Sequence, residues 1–290
     1  MTTATTSRMT KLNINDHSRD SAGLTYVYPV WSRRSQGLSI GINLNPNNAC
    51  NWACRYCQVP NLTRGSAPVC DIPKLQAELR GLLEEHRSGA LANRFELAPN
   101  TVIRDIAISG NGEPTSCPNF ADVTRAIGEI AEEFDLLGNV GLIVITNGSL
   151  MEHAHVQEGL RHWGELGGEA WFKMDRGTSG GILEINGARL SIERVREHLA
   201  LCLNLLPTWI QTCLVTLDNA TLSESDIQGY LETLETLISS QKTPRGVMLY
   251  GLARPSEQPE AYRLSPFKAE DREALIHRIK ALGLEVRVST

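Results

Sequence analysis

Short apolar runs rich in β-formers alternate with amphipathic stretches of helical period along most of this 290-residue chain, and that alternation limits the folds open to it. Gly37 to Asn45 (GLSIGINLN), Thr101 to Ser109 (TVIRDIAIS), Val140 to Thr146 (VGLIVIT), Glu169 to Met174, Thr208 to Thr216 and Gly246 to Ala253 (GVMLYGLA) read as six main strands, with Leu284 to Val288 as a last one. Asp71 to Ala92, Pro118 to Leu137, His153 to Leu166, Ser191 to Leu205, Ser223 to Ser239 and Lys268 to Leu282 read as helices. Asp71 and Ser191 are N-cap residues, Pro73 is tolerated in a first turn, and Gly283 closes the last helix. VGLIVIT is apolar nearly throughout, the pattern of a strand covered on both faces. Strand and helix in alternation predict a parallel sheet with right-handed crossovers. Six main strands predict an α/β fold, a partial (β/α)6 TIM-like barrel rather than a closed one of eight.

The hydrophobic fraction of 41% is enough to fill one such core. The expected organisation is a polar, disordered tail over residues 1–23 and a single domain over 24–290, with its core at about 37–253 and a C-terminal extension over 254–290. The tail lacks the apolar centre of a secretory signal, and no apolar run approaches the length of a membrane span. Net charge is −5, so the chain carries no global electrostatic footprint for nucleic acid. Its seven cysteines are odd in number and follow no export signal, which argues against a disulfide framework and for a cytoplasmic protein.

Three of those cysteines, Cys50, Cys54 and Cys57, fall within eight residues as C-x3-C-x2-C, in the loop after the first strand. Parallel α/β folds carry their ligand sites at the C-terminal strand ends, so the triplet sits where such a fold does its chemistry. A structural zinc site wants four ligands, and no partner C-x2-C pair exists elsewhere. An iron–sulfur cubane offers another solution: three thiolates hold three irons and leave the fourth open. Three unconnected core cysteines are the remaining alternative. Cys70, Cys117, Cys202 and Cys213 form no second motif. His153 and His155 are two residues apart, so they do not share a helix face.

Cys50-Asn51-Trp52-Ala53-Cys54-Arg55-Tyr56-Cys57 resembles the radical S-adenosylmethionine (SAM) superfamily signature C-x3-C-x-aromatic-C, and the resemblance extends from about Ser39 to Ala253. It implies an iron–sulfur enzyme with Cys50, Cys54 and Cys57 as ligands of a [4Fe-4S] cluster, S-adenosylmethionine chelating the open iron, and Tyr56 near the adenine. In that family an electron from the cluster cleaves the cofactor, and a 5′-deoxyadenosyl radical abstracts hydrogen from the substrate. An electron donor such as flavodoxin or ferredoxin is implied as a partner. "ISGNGEPTS" is similar to the family's GGE element, so Gly110, Asn111, Gly112 and Glu113 are implied at the cofactor's amino group. Read alone, this G-x-G is equally a tight strand-to-helix turn.

Polar residues at other strand ends complete the candidate cofactor site: Thr146, Asn147, Lys173, Asp175 and Gln211. Lys173 follows Trp171 and Phe172 and suits an anionic group; the alternative is a lysine paired with Asp175. Gln211 interrupts the apolar run TWIQTCLVT, facing either the cofactor or a satisfied core partner. Arg254, in "LYGLARPSEQPE", suits a phosphate or carboxylate, or else holds a surface turn. GNGEP and the Arg254-Pro255 loop together resemble the branch of wyosine-synthase-like radical SAM proteins and their bacterial relatives. Wyosine-type synthases use a second cluster held by cysteines upstream of the signature, and residues 1–49 contain none. The resemblance therefore implies the branch and the radical chemistry, with the substrate open. Wyosine-type tRNA modification, activation of a partner protein at a glycine, and a non-catalytic metal-stabilised binding module are the alternatives.

Overall fold

The computed structural model describes residues 12, 22–32, 35–252 and 254–289. The tail expected over residues 1–23 falls outside them except at residues 12, 22 and 23, and so does Ala253, the expected end of the core. Eight strands form one sheet whose spatial order is the chain order: β1 (Val27–Ser32), β2 (Gly37–Ile42), β3 (Ile103–Ile108), β4 (Gly141–Thr146), β5 (Glu169–Lys173), β6 (Thr208–Cys213), β7 (Gly246–Tyr250) and β8 (Glu285–Ser289). β1 and β2 are antiparallel; every later neighbour pair is parallel. The sheet curls into a half-barrel.

Among the described residues, the helices of eight or more residues are α1 (Ile72–Ser88), α2 (Phe120–Glu133), α3 (Ala154–Glu165), α4 (Ser179–Asn186), α5 (Ile192–Leu205), α6 (Glu224–Ser239) and α7 (Ala269–Ala281); a five-residue helix, Ala90–Arg94, follows α1. Side chains alternate along a strand, so each strand has an outer and an inner row. Leu38, Ile40 and Ile42 of β2, Val144 of β4, Phe172 of β5 and Leu249 of β7 face outward into the main core with the helices. Ala107, Ile143, Trp171, Trp209 and Met248 form a separate apolar cluster on the inner rows. Burial on both faces explains why the strands read as nearly continuous apolar runs.

The helix ends obey local chemistry. Asp71 accepts a hydrogen bond from the Lys74 N–H at the start of α1, and Gly89 closes that helix with φ 79°, a conformation only glycine adopts without cost. Ser191 and Ser223 cap α5 and α6 in the same way. On α1, Glu78 accepts from the backbone N–H groups of Thr25, Tyr26 and Val27 at 3.0, 2.7 and 3.3 Å, which ties the start of β1 to the helix layer.

Four elements differ from the sequence reading. The helix expected over residues 71–92 ends at Ser88, where Gly89 takes the left-handed conformation, and residues 90–94 form a separate short helix. β1 adds an antiparallel edge strand, with Pro29 where an edge tolerates a missing N–H. α4 was masked by Gly180 and Gly181, poor helix formers, although Thr178 caps it and Gly187 ends it in the left-handed region. The strand expected over residues 208–216 breaks after Cys213. Val215–Leu217 leaves the sheet and pairs antiparallel with Leu264–Pro266.

Candidate cofactor site

Asn43, Asn45 and Asn48 shape the chain as it leaves β2. Asn43 Oδ1 accepts from the N–H groups of Asn45 and Asn111, at 3.1 and 3.0 Å, and Asn45 Nδ2 donates to the Ala49 carbonyl at 2.8 Å. The loop carrying Cys50, Cys54 and Cys57 is thereby fastened to the loop after β3. Glycine is demanded at that contact. Gly110 has φ 152°, and a Cβ on Gly112 would stand 2.1 Å from the Ala49 carbonyl oxygen. The two glycines of GNG let one backbone lie against the other.

The three cysteines line one cavity of about 280 Å³ at the C-terminal ends of the strands. Tyr56, Gly110, Asn111, Gly112, Glu113, Asn147, Lys173 and Gln211 line it too; Thr146 and Asp175 stand behind the lining. Burial pushes the Cys50 thiol up to about 11 and the Cys54 thiol up to about 12, so both are protonated in the metal-free chain. Asn186 Nδ2 points at Cys54 Sγ (3.3 Å) and the Trp52 N–H at Cys50 Sγ (3.5 Å), donors of the kind that surround thiolate ligands.

Glu113 is buried, and its carboxylate is oriented from behind. Oε1 accepts from Thr115 N–H (3.1 Å), Thr115 Oγ1 (2.6 Å) and Thr146 Oγ1 (2.6 Å), and Oε2 accepts from the Asn147 N–H at 2.6 Å. Burial raises its pKa above the ordinary carboxylate value, and these hydrogen bonds work in the opposite direction. The result is a rigid acceptor on the cavity wall, suited to a cationic amine. Asn147 also donates to Asn51 Oδ1 at 2.8 Å, joining the β4 end to the cysteine loop. Asn111 donates to Asn48 Oδ1 at 2.7 Å, while its own Oδ1 is buried without a hydrogen-bond partner.

Asp175 serves as a hub. Its carboxylate accepts from the Tyr56 hydroxyl, from Asn186 Nδ2 at 2.7 Å and from the Cys213 N–H at 2.7 Å. Tyr56 is thus held by its hydroxyl. Lys173 donates to the Tyr250 hydroxyl at 2.6 Å, with Nζ 5.0 Å from the Tyr56 ring centre and 5.2 Å from that of Tyr250. The pairing with Asp175 considered from sequence is absent: among the described residues no carboxylate lies within ion-pair distance of Nζ. Burial is the largest influence and works against its charge; Asp175, Tyr250, Cys54 and Cys213 together outweigh it and raise its pKa.

The loop after β7 clamps the cysteine loop from outside. Ser256 Oγ donates to the Arg55 and Cys57 carbonyls at 2.6 and 3.1 Å, Gln258 Nε2 to those of Cys57 and Val59 at 3.2 and 3.0 Å, and Arg254 Nη2 to Gln58 Oε1 at 2.6 Å. Arg55 forms an ion pair with Glu260. Sequence reading missed Asn186, Ser256 and Gln258. Asn186 had only the αL cap glycine after it as a signal.

A cubane fits this donor set. Among the described residues, no three His, Cys, Asp or Glu side chains converge on a point that one ion could occupy. Three thiolates on one cubane bind three different irons, so they need not meet at a point, and these three line one cavity.

No family model matches the chain. Among curated proteins, the GTPase Obg of Brachyspira hyodysenteriae (strain ATCC 49526 / WA1) is 31% identical over 123 residues, which are 42% of this chain and 15% of that protein. The described fold is similar to Streptococcus suis SuiB bound to its precursor peptide SuiA, with TM-score 0.57 and 14% identity over 89% of this chain and 51% of that one. It is similar to TYW1 with a lysine–pyruvate adduct bound (TM-score 0.52, 15% identity, 84% of this chain, 72% of that one). It is also similar to HydG, a maturase of the [FeFe]-hydrogenase (TM-score 0.53, 13% identity, 84% and 50%). All three are radical SAM enzymes. The chain shares its fold with these three enzymes. It spans about half the length of the SuiB and HydG chains. Within that fold, the cysteine loop, the GNGE turn and the strand-end residues gather at one mouth of the half-barrel.

Proposed function

We propose that the protein is a radical SAM enzyme, with Cys50, Cys54 and Cys57 holding a [4Fe-4S] cluster and the cavity holding S-adenosylmethionine. The observation that carries this reading is the convergence of three cysteines, separated by three and two intervening residues, with a rigidly oriented buried carboxylate on one cavity of a fold shared with radical SAM enzymes. When bound, the cluster supplies an electron that cleaves S-adenosylmethionine to a 5′-deoxyadenosyl radical, which takes hydrogen from the substrate. The chain's own residues bind and orient. Glu113 accepts from the cofactor's ammonium group. Gly110 and Gly112 let the loop backbone approach, and Asn111 offers an unpartnered acceptor. Tyr56, fixed by Asp175, packs in a cluster with Ile185, Cys213 and Cys54. Thr146 holds Glu113 in place, and Asn147 does the same through its N–H. Asn186 orients Cys54.

The substrate differs among the structural neighbours, and their identity to this chain is too low to transfer one. A low-potential donor such as flavodoxin or ferredoxin is the partner this chemistry requires, and a reducing compartment such as the cytoplasm suits seven free thiols. Among the described residues, no helix is long and apolar enough to cross a membrane. The test is anaerobic reconstitution with iron and sulfide, followed by reduction in the presence of S-adenosylmethionine. The expected result is about four irons per chain, from the open-iron cubane, and formation of 5′-deoxyadenosine. Stoichiometric zinc with no cluster absorption, or intact cofactor after reduction, would overturn the assignment.

A further inference from the structure

α4 ends against the cysteine loop, and the loop takes up the carbonyls that the helix leaves open. The last four carbonyls of a helix have no partner inside it. The Leu183 carbonyl is closed by the N–H of Gly187, the cap residue, at 3.1 Å. The other three go to the cysteine loop. Arg55 Nε donates to the Glu184 carbonyl at 3.1 Å, the Arg55 N–H to that of Ile185 at 2.8 Å, and the Ala53 N–H to that of Asn186 at 3.0 Å. Arg64 Nη2 then reaches the Gly187 carbonyl at 2.8 Å. A Cβ on Gly187 would stand 2.8 Å from the Ala53 carbonyl oxygen, so the two backbones lie against each other. The end of α4 is thereby fixed beside Cys54.

Asn186, the last residue of α4, is 1% exposed. Its Nδ2 donates to Asp175 Oδ2 at 2.7 Å and stands 3.3 Å from both Cys54 Sγ and the Tyr56 hydroxyl oxygen. Asp175 decides which way the amide points. An ionised carboxylate only accepts, so the Asn186 atom that faces it is the nitrogen. The reversed amide would set its oxygen against a carboxylate and a thiolate. In the orientation adopted, Oδ1 is buried without a hydrogen-bond partner. An unmet acceptor is costly, so the amide is oriented by its nitrogen side.

We propose that Asn186 is a positioning residue that sets the reduction potential of the iron–sulfur cluster, through a hydrogen bond to Cys54 whose direction Asp175 fixes. This rests on the reading of the three cysteines as cluster ligands. Reduction adds negative charge to a cluster, and a donor to a ligand sulfur stabilises the reduced form more than the oxidised one. Hydrogen bonds to the sulfurs are among the quantities that set such potentials. The Asn186 contact therefore raises the potential and makes one-electron reduction by a low-potential donor easier. Its buried setting strengthens the effect, because a hydrogen bond acts more strongly at low dielectric.

The test reconstitutes the full-length protein anaerobically, without S-adenosylmethionine, and poises it with redox mediators while EPR reads the reduced fraction. Asn186→Leu is expected to lower the ratio of reduced to oxidised cluster at a fixed poise about tenfold, which is about 59 mV for a one-electron couple. Asn186→Asp keeps the shape and replaces the amide donor with an oxygen; its ratio is expected to fall as well. Iron and sulfide content and the thermal midpoint are read in parallel. An unchanged ratio in either variant that carries the cluster overturns the proposal. Failure of both variants to take up iron also overturns it, since Asn186 is then a structural support of the loop alone. A second signature separates the donor from packing. With asparagine side chains labelled by the heavy nitrogen isotope, pulsed EPR of the reduced cluster is expected to show a weakly coupled nitrogen that Asn186→Leu removes; its absence from the unmodified protein overturns the contact. S-adenosylmethionine is added last. A shifted potential with no cofactor cleavage by the unmodified protein keeps the Asn186 assignment and sinks the radical SAM reading. Cleavage with an unshifted potential does the reverse.

Discussion

Glu113 shows how one buried side chain is made into a receptor. Its carboxylate accepts four hydrogen bonds from the chain, and burial still leaves its pKa above the usual carboxylate value. A raised pKa means that the folded chain holds the proton more tightly than the unfolded chain, so this residue favours folding at low pH and that contribution is lost as pH rises through the raised value. A cationic amine needs the ionised form. Affinity for S-adenosylmethionine is therefore expected to fall as pH is lowered toward and through Glu113's raised pKa, above 4.5, with a proton released on binding in that window. Calorimetry in two buffers of different ionisation enthalpy checks the proton count; a flat affinity across the window would contradict the contact. Glu113→Gln is expected to weaken binding by about 10- to 100-fold, the range for losing a hydrogen bond to a charged group. The same scale holds Cys54. Cys54→Ala removes one of the three proposed ligands, and the expected outcome is loss of bound iron after reconstitution, read by metal analysis, together with loss of 5′-deoxyadenosine formation.

At the scale of elements, the site is a set of loops pressed against one another, and close approach is its main requirement. The GNG turn was legible as a glycine motif, but its tightest structural contact is with the cysteine loop: a Cβ at Gly112 collides with the Ala49 carbonyl. Gly112→Ala is expected to displace that loop and reduce iron incorporation several-fold while circular dichroism stays unchanged; full iron loading in this variant would remove the argument. Glu78 performs the corresponding task for β1, collecting three backbone N–H groups that the edge strand leaves without a ladder partner. Glu78→Ala leaves them to be satisfied by water or not at all. The expected cost is about 1–3 kcal/mol, measured by urea unfolding. Neither α4 nor β1 was found from the sequence. Glycines 180 and 181 lower helix propensity, and tertiary packing against the cysteine loop outweighs that local preference. An edge strand next to a polar tail offers too short a periodic signal to stand out.

Across the whole molecule, the half-barrel leaves its interior open, and the chain after β7 completes the site. Residues 254–258 hold the carbonyls of Arg55, Cys57 and Val59, and β8 adds a further parallel strand beside β7. Ser256→Ala combined with Gln258→Ala removes these clamps. The expected result is a cluster lost faster on exposure to a chelator, followed by the decay of its visible absorption, with the melting temperature changed by only a few degrees. Unchanged chelation kinetics would show that the cysteine loop is held without the clamp.

The sequence by itself determined the alternation of strands and helices, the partial barrel, the position of the cysteine triplet at a strand end, and the GNGE turn. These are short-range properties: hydrophobic period, capping residues and residue spacing are all written within a few positions of one another. The tertiary structure alone decided which polar residues face the cavity. Asp175, expected in the site, is spent behind it on Tyr56, Asn186 and Cys213, whereas Asn186, on a helix that local propensity hid, reaches Cys54. Gln211 and Lys173 became a pair only through the register of β5 against β6. Register is set by the pairing of two whole strands that are distant in the chain, because sliding by one residue turns each side chain to the opposite face, and no local pattern in the chain carries that information.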